Sequence, residues 1–237
     1  GYAFDKGWAL LDKTTSNDQL LDFLSNSNKK INIWYSHEHS DHFSVPFLMG
    51  LKKLKLDAQF YFQKTLDGRV ANFMRKQGFS VIESNDNLEI LDSELSMVTF
   101  PFSGGDSYSL IIVNGYSILN INDCFIQNNE IAAKVAASFK KYTDTIDLLL
   151  TQFGYANWTG NEDEVDLRVQ KSALTLSLIK LQVEVFCPKF VIPFASFIYF
   201  CHPDNFYMND MQNSPKDVEY YFQSQGLPAD LIVLKPW

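Results

Sequence analysis

The sequence predicts a layered α/β fold, and three observations predict it. Short β-rich runs alternate with stretches of helical periodicity along the chain. An Asn-Gly pair, Asn114-Gly115, stands between two of those runs. Apolar residues make up 46% of the 237, enough for a sizeable core.

The elements follow in order. Residues 31–35 form a short β-rich run that ends in a polar, histidine-rich stretch. Residues 45–54 read as a helix, with Phe47, Leu48, Leu51 and Leu54 recurring at helical spacing. A strand is expected at 58–62 and a helix at 67–76, closed by Gly78 as a C-cap. Strands follow at 80–82, 88–91, 95–100, 107–113 and 116–121, the last two joined by the Asn-Gly turn that favours a tight hairpin. A strand at 146–151 precedes a long helix over 165–186, with Ala173, Leu176, Ile179 and Val183 on its apolar side. Pro188 ends that helix, and 190–193 is a last buried strand. No repeat, low-complexity tract or linker interrupts the pattern, and the length suits a single domain over 1–237.

Composition narrows the function. The formal net charge is −8, which argues against a nucleic-acid footprint, because that needs clustered Lys and Arg. The basic run Lys52-Lys53-Leu54-Lys55 reads as the solvated face of a helix. No apolar run is long enough to span a membrane. No signal peptide is visible, and a start at Gly1 without Met leaves a processed or truncated beginning open. Cys124, Cys187 and Cys201 give no disulfide framework, which favours a reducing compartment and a cytoplasmic protein. Asn157-Trp158-Thr159 matches a glycosylation sequon and is read as unused.

The informative segment is His37-Glu38-His39-Ser40-Asp41-His42, which holds three of the four histidines. Imidazole and carboxylate are the usual protein ligands of zinc, iron and manganese. In a tight loop, residues i and i+2 can reach one ion while i+4 and i+5 turn toward a second. Two adjacent ions can clamp an attacking and a leaving oxygen together. The alternative, a polar surface loop that happens to be rich in histidine, needs four ligand-type residues at these offsets by chance.

This His-x-His-x-Asp-His pattern after a strand resembles the metallo-β-lactamase superfamily. The resemblance implies an αββα metallo-β-lactamase sandwich with two transition-metal ions at one edge of the sheets. It implies that His37 and His39 bind the first ion and that Asp41 and His42 bind the second. A bridging Asp is expected at a strand end, where Asn120-Ile121-Asn122-Asp123-Cys124 supplies Asp123. A last ligand His is expected near the C-terminus, where His202 is the one candidate. Asp41 and Asp123 are the expected catalytic carboxylates.

The sequence departs from the superfamily in one respect. Hydrolases of this kind bring a third His to the first ion, and no His lies between 43 and 201. In the loop Pro101-Phe102-Ser103-Gly104-Gly105-Asp106-Ser107, Asp106 either replaces it or is a turn residue that leaves the first ion incomplete. A carboxylate in place of an imidazole hardens the site, which shifts preference from zinc toward iron or manganese; iron is the metal expected ahead of zinc or manganese.

Residues 95–213 look more like the metallo-β-lactamase-type domain of CMP-N-acetylneuraminate hydroxylase. The matching pieces are Ile118-Leu119-Asn120 with Asp123-Cys124, then Phe153 with Ala156, then Pro193-Phe194-Ala195-Ser196-Phe197 followed by His202-Pro203. Phe4-Asp5-Lys6-Gly7-Trp8 resembles a segment that follows the first strand of such relatives, so the family's first strands are expected to be missing from this chain. That hydroxylase also carries a Rieske cluster, which needs Cys-x-His or Cys-x-x-His elements. None is present, so an oxygenase would take electrons from an external donor.

Three classes follow. One is a dinuclear-iron oxygenase acting on a sugar, nucleotide sugar or similar polar metabolite. Another is a metal-dependent hydrolase of an ester, amide or phosphoester. The last is a metal-binding or interaction protein without catalysis. Aromatic residues near the site segments, Trp158 and Tyr199 among them, are candidates either to wall a substrate pocket or to pack in the core.

Overall fold

The computed structural model describes residues 2–3, 7–11 and 15–234. The segment Phe4-Asp5-Lys6 of the resemblance lies outside the described residues. Two short strands open the chain, β1 (Tyr2–Ala3) and β2 (Trp8–Leu10), followed by helix α1 (Asn17–Ser25). Ser16 and Gln19 form a reciprocal capping box at the start of α1.

A three-stranded parallel sheet comes next. It runs β3 (Ile31–Tyr35), α2 (Val45–Lys53), β4 (Ala58–Gln63), α3 (Arg69–Lys76), β5 (Ser80–Ser84), with strands in the order β3-β4-β5. Parallel neighbours need crossovers, and α2 and α3 supply them. Their apolar faces (Leu48, Leu51, Val70, Met74) bury Tyr35, Phe60 and Phe62 of the strands. Gly78, with φ +94°, follows α3 as the sequence predicts, and its N–H returns to the Arg75 carbonyl.

A seven-stranded sheet forms the second layer. Its antiparallel part is β6 (Leu88–Ile90), β7 (Leu95–Pro101), β8 (Ser107–Val113) and β9 (Tyr116–Asn120). Asn114 and Gly115 both have positive φ, +49° and +80°, as a two-residue turn between β8 and β9 requires. Beyond β9 the sheet continues in parallel through α4 (Asn129–Phe139), β10 (Leu148–Thr151), α5 (Val165–Phe186) and β11 (Phe190–Pro193). Strand β12 (Ile198–Phe200) leaves this sheet to pair with β2. Helix α6 (Pro215–Gln225) and β13 (Asp230–Leu231) complete it, giving the order β13-β11-β10-β9-β8-β7-β6.

The core follows from strand alternation. Val98, Phe100, Leu110, Leu119, Leu149 and Val191 face Ala132, Val135, Phe139, Ile179, Val183, Val218 and Phe222 of the helices. The opposite face of β7 and β8 carries Thr99, Ser107 and Ser109, all fully buried, and β4 and β5 pack against β7. The sheets therefore meet across small polar residues, while the large apolar side chains lie between each sheet and its own helices. No helix among the described residues is long and apolar enough to cross a membrane.

Helix α5 departs from its sequence reading. Ala173 is exposed, and the buried side in its first half is polar, with Arg168, Ser172 and Thr175. The cause is position. This half faces a loop and a cavity instead of the core, and only from Ile179 onward does it pack on the sheet. The sequence reading also left out α1, α4, α6, β12 and β13, whose short or weakly periodic stretches are fixed by packing.

The layering sets an expectation for stability. Leu110→Ala should lower the unfolding free energy by about 2–5 kcal/mol, since it empties a fully buried position between β8 and the helices. Ile90→Ala, at a 67% exposed position on edge strand β6, should stay within about 0.5 kcal/mol. Urea denaturation of the two variants checks the contrast.

Candidate metal centre

Strand β3 ends at Tyr35, and the chain turns into Ser36 and His37 at the sheet edge. His37 is 2% exposed. The following turn is closed by the His42 and Phe43 amides donating to the His39 carbonyl (2.9 and 2.7 Å), which folds Asp41 and His42 back over His37. The His37 and His42 rings lie 4.2 Å apart, and His39 stands edge-on to His37 at 4.5 Å.

Asp123 arrives from the second layer. After β9 the chain passes through Asn122 in the left-handed region (φ +50°), a conformation Asn tolerates. The Asn120 side chain accepts from the Asn122 N–H (3.0 Å), and the Cys124 N–H donates to the Ile121 carbonyl (3.1 Å). The Gln152 side-chain amide donates to Asp123 Oδ1, which leaves Oδ2 for the histidines. Asp123 Oδ2 lies 3.7 Å from His37 Nε2 and 3.3 Å from His42 Nε2. Asp41 Oδ2 is 3.1 Å from the same His42 nitrogen, and His39 Nδ1 is 2.8 Å from His37 Nε2.

These separations fit a metal. Ligand atoms on a tetrahedral ion with bonds of 2.0–2.1 Å are roughly 3.4 Å apart. One ligand atom from each of His37, His42 and Asp123 lies within 4.8 Å of the other two. Asp123 thus approaches both His37 and His42.

The electrostatics of the metal-free cluster agree with its crowding. Burial, then the neighbouring His42 charge, lowers the His37 pKa to about 4. Burial opposes the charge on His42 as well, but its hydrogen bonds to Asp123 and Asp41 outweigh that and raise it to about 9. Burial works against ionised Asp41, yet its bond to His42 holds the carboxyl below its ordinary value. Burial, then repulsion from Asp123, raises Asp106.

Ser36 ties the pieces together. Its carbonyl accepts from Ser107 Oγ (2.6 Å) and Gln63 Nε2 (3.3 Å). Its hydroxyl accepts from Asn122 Nδ2 (2.7 Å) and sits 3.1 Å from His37 Nδ1. Sequence reasoning missed Ser36, Gln63, Asn122 and Gln152. The one available signal was adjacency, since Ser36 and Asn122 each precede a predicted ligand.

A cavity of about 430 Å³ opens beside the cluster. His39, Asp41 and Asp123 form one wall, the Gln152–Asn157 loop another, and Lys171, Thr175 and Gln182 of α5 a third. The loop is held firmly. Buried Arg168 makes a bidentate pair with Asp210 (2.8 and 2.9 Å) and donates to the Asn161 and Glu162 carbonyls. Tyr155 OH donates to the Met208 carbonyl (2.8 Å), and Gln212 and Asn213 bond the Tyr155 and Phe153 carbonyls. In the run Pro193-Phe194-Ala195-Ser196-Phe197, Ala195 has φ +59°, and Ser196 Oγ accepts from the Phe153 N–H (3.0 Å).

Several sequence expectations change. His202 is not brought to the cluster. It is 55% exposed, accepts from the Asp204 N–H through Nδ1 (3.3 Å), and caps the turn Pro203–Asn209. Its place just before Pro203, at the N-cap of that turn, engages the ring nitrogen locally. Asp106 does approach His37, but from the other ring edge, with Oδ1 3.7 Å from Nδ1, so it does not join the Nε2 group as a third ligand. The Gly104-Gly105 turn, with φ +81° and +88°, sets that approach. Tyr199 pairs with Ala9 in the β2–β12 ladder and does not line the cavity. Trp158 borders a separate shallow hollow.

No family model matches the chain. It is 24% identical over 228 residues to cytidine monophosphate-N-acetylneuraminic acid hydroxylase of Danio rerio, across 92% of this chain and 37% of that protein. It is 25% identical over 246 residues to the inactive cytidine monophosphate-N-acetylneuraminic acid hydroxylase of Homo sapiens, across 100% of this chain and 47% of that protein. The chain thus spans less than half the length of these relatives, and the likeness extends beyond residues 95–213. Among solved structures it superposes on the metallo-β-lactamase fold protein YhfI from Bacillus subtilis with a TM-score of 0.56 at 8% identity, covering 86% of this chain and 74% of that one. A Parabacteroides distasonis protein provisionally named a metal-dependent hydrolase gives 0.54 at 14% identity, covering 90% and 80%.

Two outcomes follow from the geometry. In chelator-treated protein, the stabilisation from His42 is complete below pH 6.5 and is lost as the pH rises through about 9, because its folded pKa is the raised one. The denaturant midpoint should therefore fall across that window, and His42→Gln should flatten the fall. Asp106→Ala should weaken metal binding about 10–100-fold by releasing the far edge of His37, while His202→Ala leaves metal content unchanged. Metal titration followed by mass spectrometry checks both variants.

Proposed function

We propose, for a chain that has the metallo-β-lactamase fold, a dinuclear metal-dependent oxygenase acting on a sugar or related polar metabolite. One observation carries the reading. The cluster holds three imidazoles, from His37, His39 and His42, and two carboxylates, from Asp41 and Asp123, with no thiolate, while Asp106 stands against the far edge of His37. Carboxylates mixed with imidazoles suit iron or manganese as well as zinc. The names of the two curated relatives support the same reaction class, although the human one is named as inactive. A hydrolase is the second reading, favoured by the fold shared with the Parabacteroides protein.

Bound iron would supply redox chemistry toward dioxygen, whereas zinc would supply Lewis acidity alone. The residues of the chain do the rest. His37 and His39 would hold the first ion and Asp41 and His42 the second, with Asp123 placed to serve beside His37 and His42. Gln152 fixes the Asp123 carboxylate. In the metal-free chain Asp41 holds the proton at His42 Nε2, and that proton must leave before His42 can serve as a ligand. Tyr155 and the α5 side chains wall the substrate space and limit water. Electrons for an oxygenase would come from a donor outside residues 1–237, which hold no pair of Cys-x-His or Cys-x-x-His elements.

Metal content decides the reading. Anaerobically purified protein should carry two irons per chain and consume dioxygen when given a reductant. Two zincs and no uptake would defeat the oxygenase and leave the hydrolase. His37→Ala combined with His39→Ala should empty the first site. Asp123→Asn should lose one or both ions with little loss of fold. A double histidine variant with unchanged stoichiometry would overturn the ligand assignment.

A further inference from the structure

Six lysines gather at one end of the first sheet. Its strands are parallel, so they start from one edge, with Ile31 opposite Ala58 and Gln59 opposite Ser80. Lys29 and Lys30 lead into β3, and Lys55 stands shortly before β4. Lys52 and Lys53 end α2, and Lys76 ends α3. Lys52 Nζ donates to Gln77 Oε1 (3.1 Å), which ties the two helix ends together. The ligand loop of the metal centre leaves the opposite edge, after the last residue of β3.

All six lysines are exposed, and among the described residues none pairs with a carboxylate. Lys134, Lys141 and Lys189 elsewhere on the surface do. Asp57 and Asp22 stand on the same end, and the Asp22 carboxylate already accepts from the Asn26 amide (3.3 Å). A helix C-terminus favours lysine through its dipole, which accounts for Lys52, Lys53 and Lys76. It does not account for Lys29, Lys30 or Lys55, which lie outside the helices. Lys55 also has φ +54°, a conformation that Gly or Asn would hold at less cost. In a chain of net charge −8, six unpaired lysines on one end leave the acidic excess to the remaining surface.

Two apolar side chains project beside them. Phe23, in the last turn of α1, is 69% exposed, and Leu54, between Lys53 and Lys55, is 47% exposed. Leu21 of α1 lies against Gly50 of α2, where no Cβ would fit, so the two helices sit side by side. Both run back to the edge from which β3 and β4 start, and Phe23 and Leu54 reach it together.

We propose that this end of the first sheet docks on an anionic lipid membrane. The ammonium groups meet headgroup phosphates and carboxylates, while Phe23 and Leu54 enter the border of the acyl chains. Two features favour lipid over an acidic protein or a nucleic acid. The free cations are all lysines, strongly hydrated and on flexible stems, which protein interfaces disfavour and a fluid headgroup layer accommodates. The one arginine at this end, Arg75, is held by Glu83 (2.7 Å). Exposed apolar groups also stand among the cations, where a duplex would offer them only phosphates. A chain docked this way presents its metal centre to the aqueous side. The proposal holds whatever metal or reaction that centre supports.

Co-sedimentation of the 1–237 chain with vesicles tests it. The chain should bind phosphatidylcholine vesicles containing about one third phosphatidylserine and ignore phosphatidylcholine alone, and KCl should release it. Lys52→Gln, Lys53→Gln and Lys55→Gln combined should lower vesicle affinity about 100-fold, at about fivefold per lysine. Phe23→Ala should lower it about fivefold and leave the KCl dependence unchanged. Lys134→Gln, on α4, should stay within about twofold. Thermal melts establish that each variant is folded. Should the triple variant melt early, Lys29→Gln with Lys30→Gln tests the same charge from the segment before β3, with an expected loss of about 25-fold. Polyglutamate and duplex DNA carry charge without acyl chains. If either binds as tightly as the phosphatidylserine vesicles, or if Phe23→Ala leaves vesicle affinity unchanged, the lipid assignment falls in favour of a protein or nucleic-acid partner. Equal binding to both vesicle types, or a folded triple variant within about twofold of the unaltered chain, would overturn the docking surface itself.

Discussion

The geometry of the metal centre depends on the hydrogen bonding of one buried serine. Ser36 sits where β3 meets the ligand loop, and its two oxygens gather donors from three directions. Gln63 reaches it from β4, Ser107 from the start of β8 and Asn122 from the turn after β9. Each of these groups is buried, so the bonds are made away from water, where an unmet donor or acceptor is costly. The two sheets are thereby held in one relative position, and His37 and Asp123, 86 residues apart in the chain, face each other. The polar layer between the sheets, with Thr99, Ser107 and Ser109 in place of large aliphatic side chains, leaves room for this cross-link.

The charges of the cluster are arranged on that frame. Three carboxylates converge on three imidazoles at a partly buried edge. Like charges at this spacing can coexist only when cations lie between them. In the metal-free chain protonated His42 takes that part, between Asp41 and Asp123, while more deeply buried His37 is kept neutral. A neutral imidazole and ionised carboxylates are the protonation states a metal requires of its ligands. His37 and Asp41 are thus already in the binding form, and the proton on His42 must leave.

The far side of the cavity is built on a different principle. The first half of α5 presents Arg168, Ser172 and Thr175 inward. Arg168 binds Asp210 and two loop carbonyls at once and stacks over Tyr207 (4.9 Å). A buried guanidinium needs such complete pairing, and in obtaining it the side chain joins α5, the 153–164 loop and the 203–214 segment. The wall opposite the metal cluster is therefore fixed by polar bonds, and Lys171 is the charged group left facing the open space.

By itself the sequence determined the alternation of strands and helices, the Asn114-Gly115 hairpin and the candidate ligand loop His37-x-His39-x-Asp41-His42. These are local properties. Period, turn chemistry and ligand spacing are written in consecutive residues. Asp123 was legible for the same reason, as a carboxylate at the end of an apolar strand. The tertiary structure alone decided which distant groups meet. It turned His202 outward because the N-cap of its own turn engages the ring, and it set Asp106 against the far edge of His37 because the Gly104-Gly105 turn directs it there. It exposed Ala173 and buried Arg168, because what a helix face buries depends on the partner packed against it, and here that partner is a polar loop. Ser36, Gln63 and Asn122 carry no local signature as positioning residues. Their part arises when two sheets close on each other and every buried hydrogen-bonding group must find a partner.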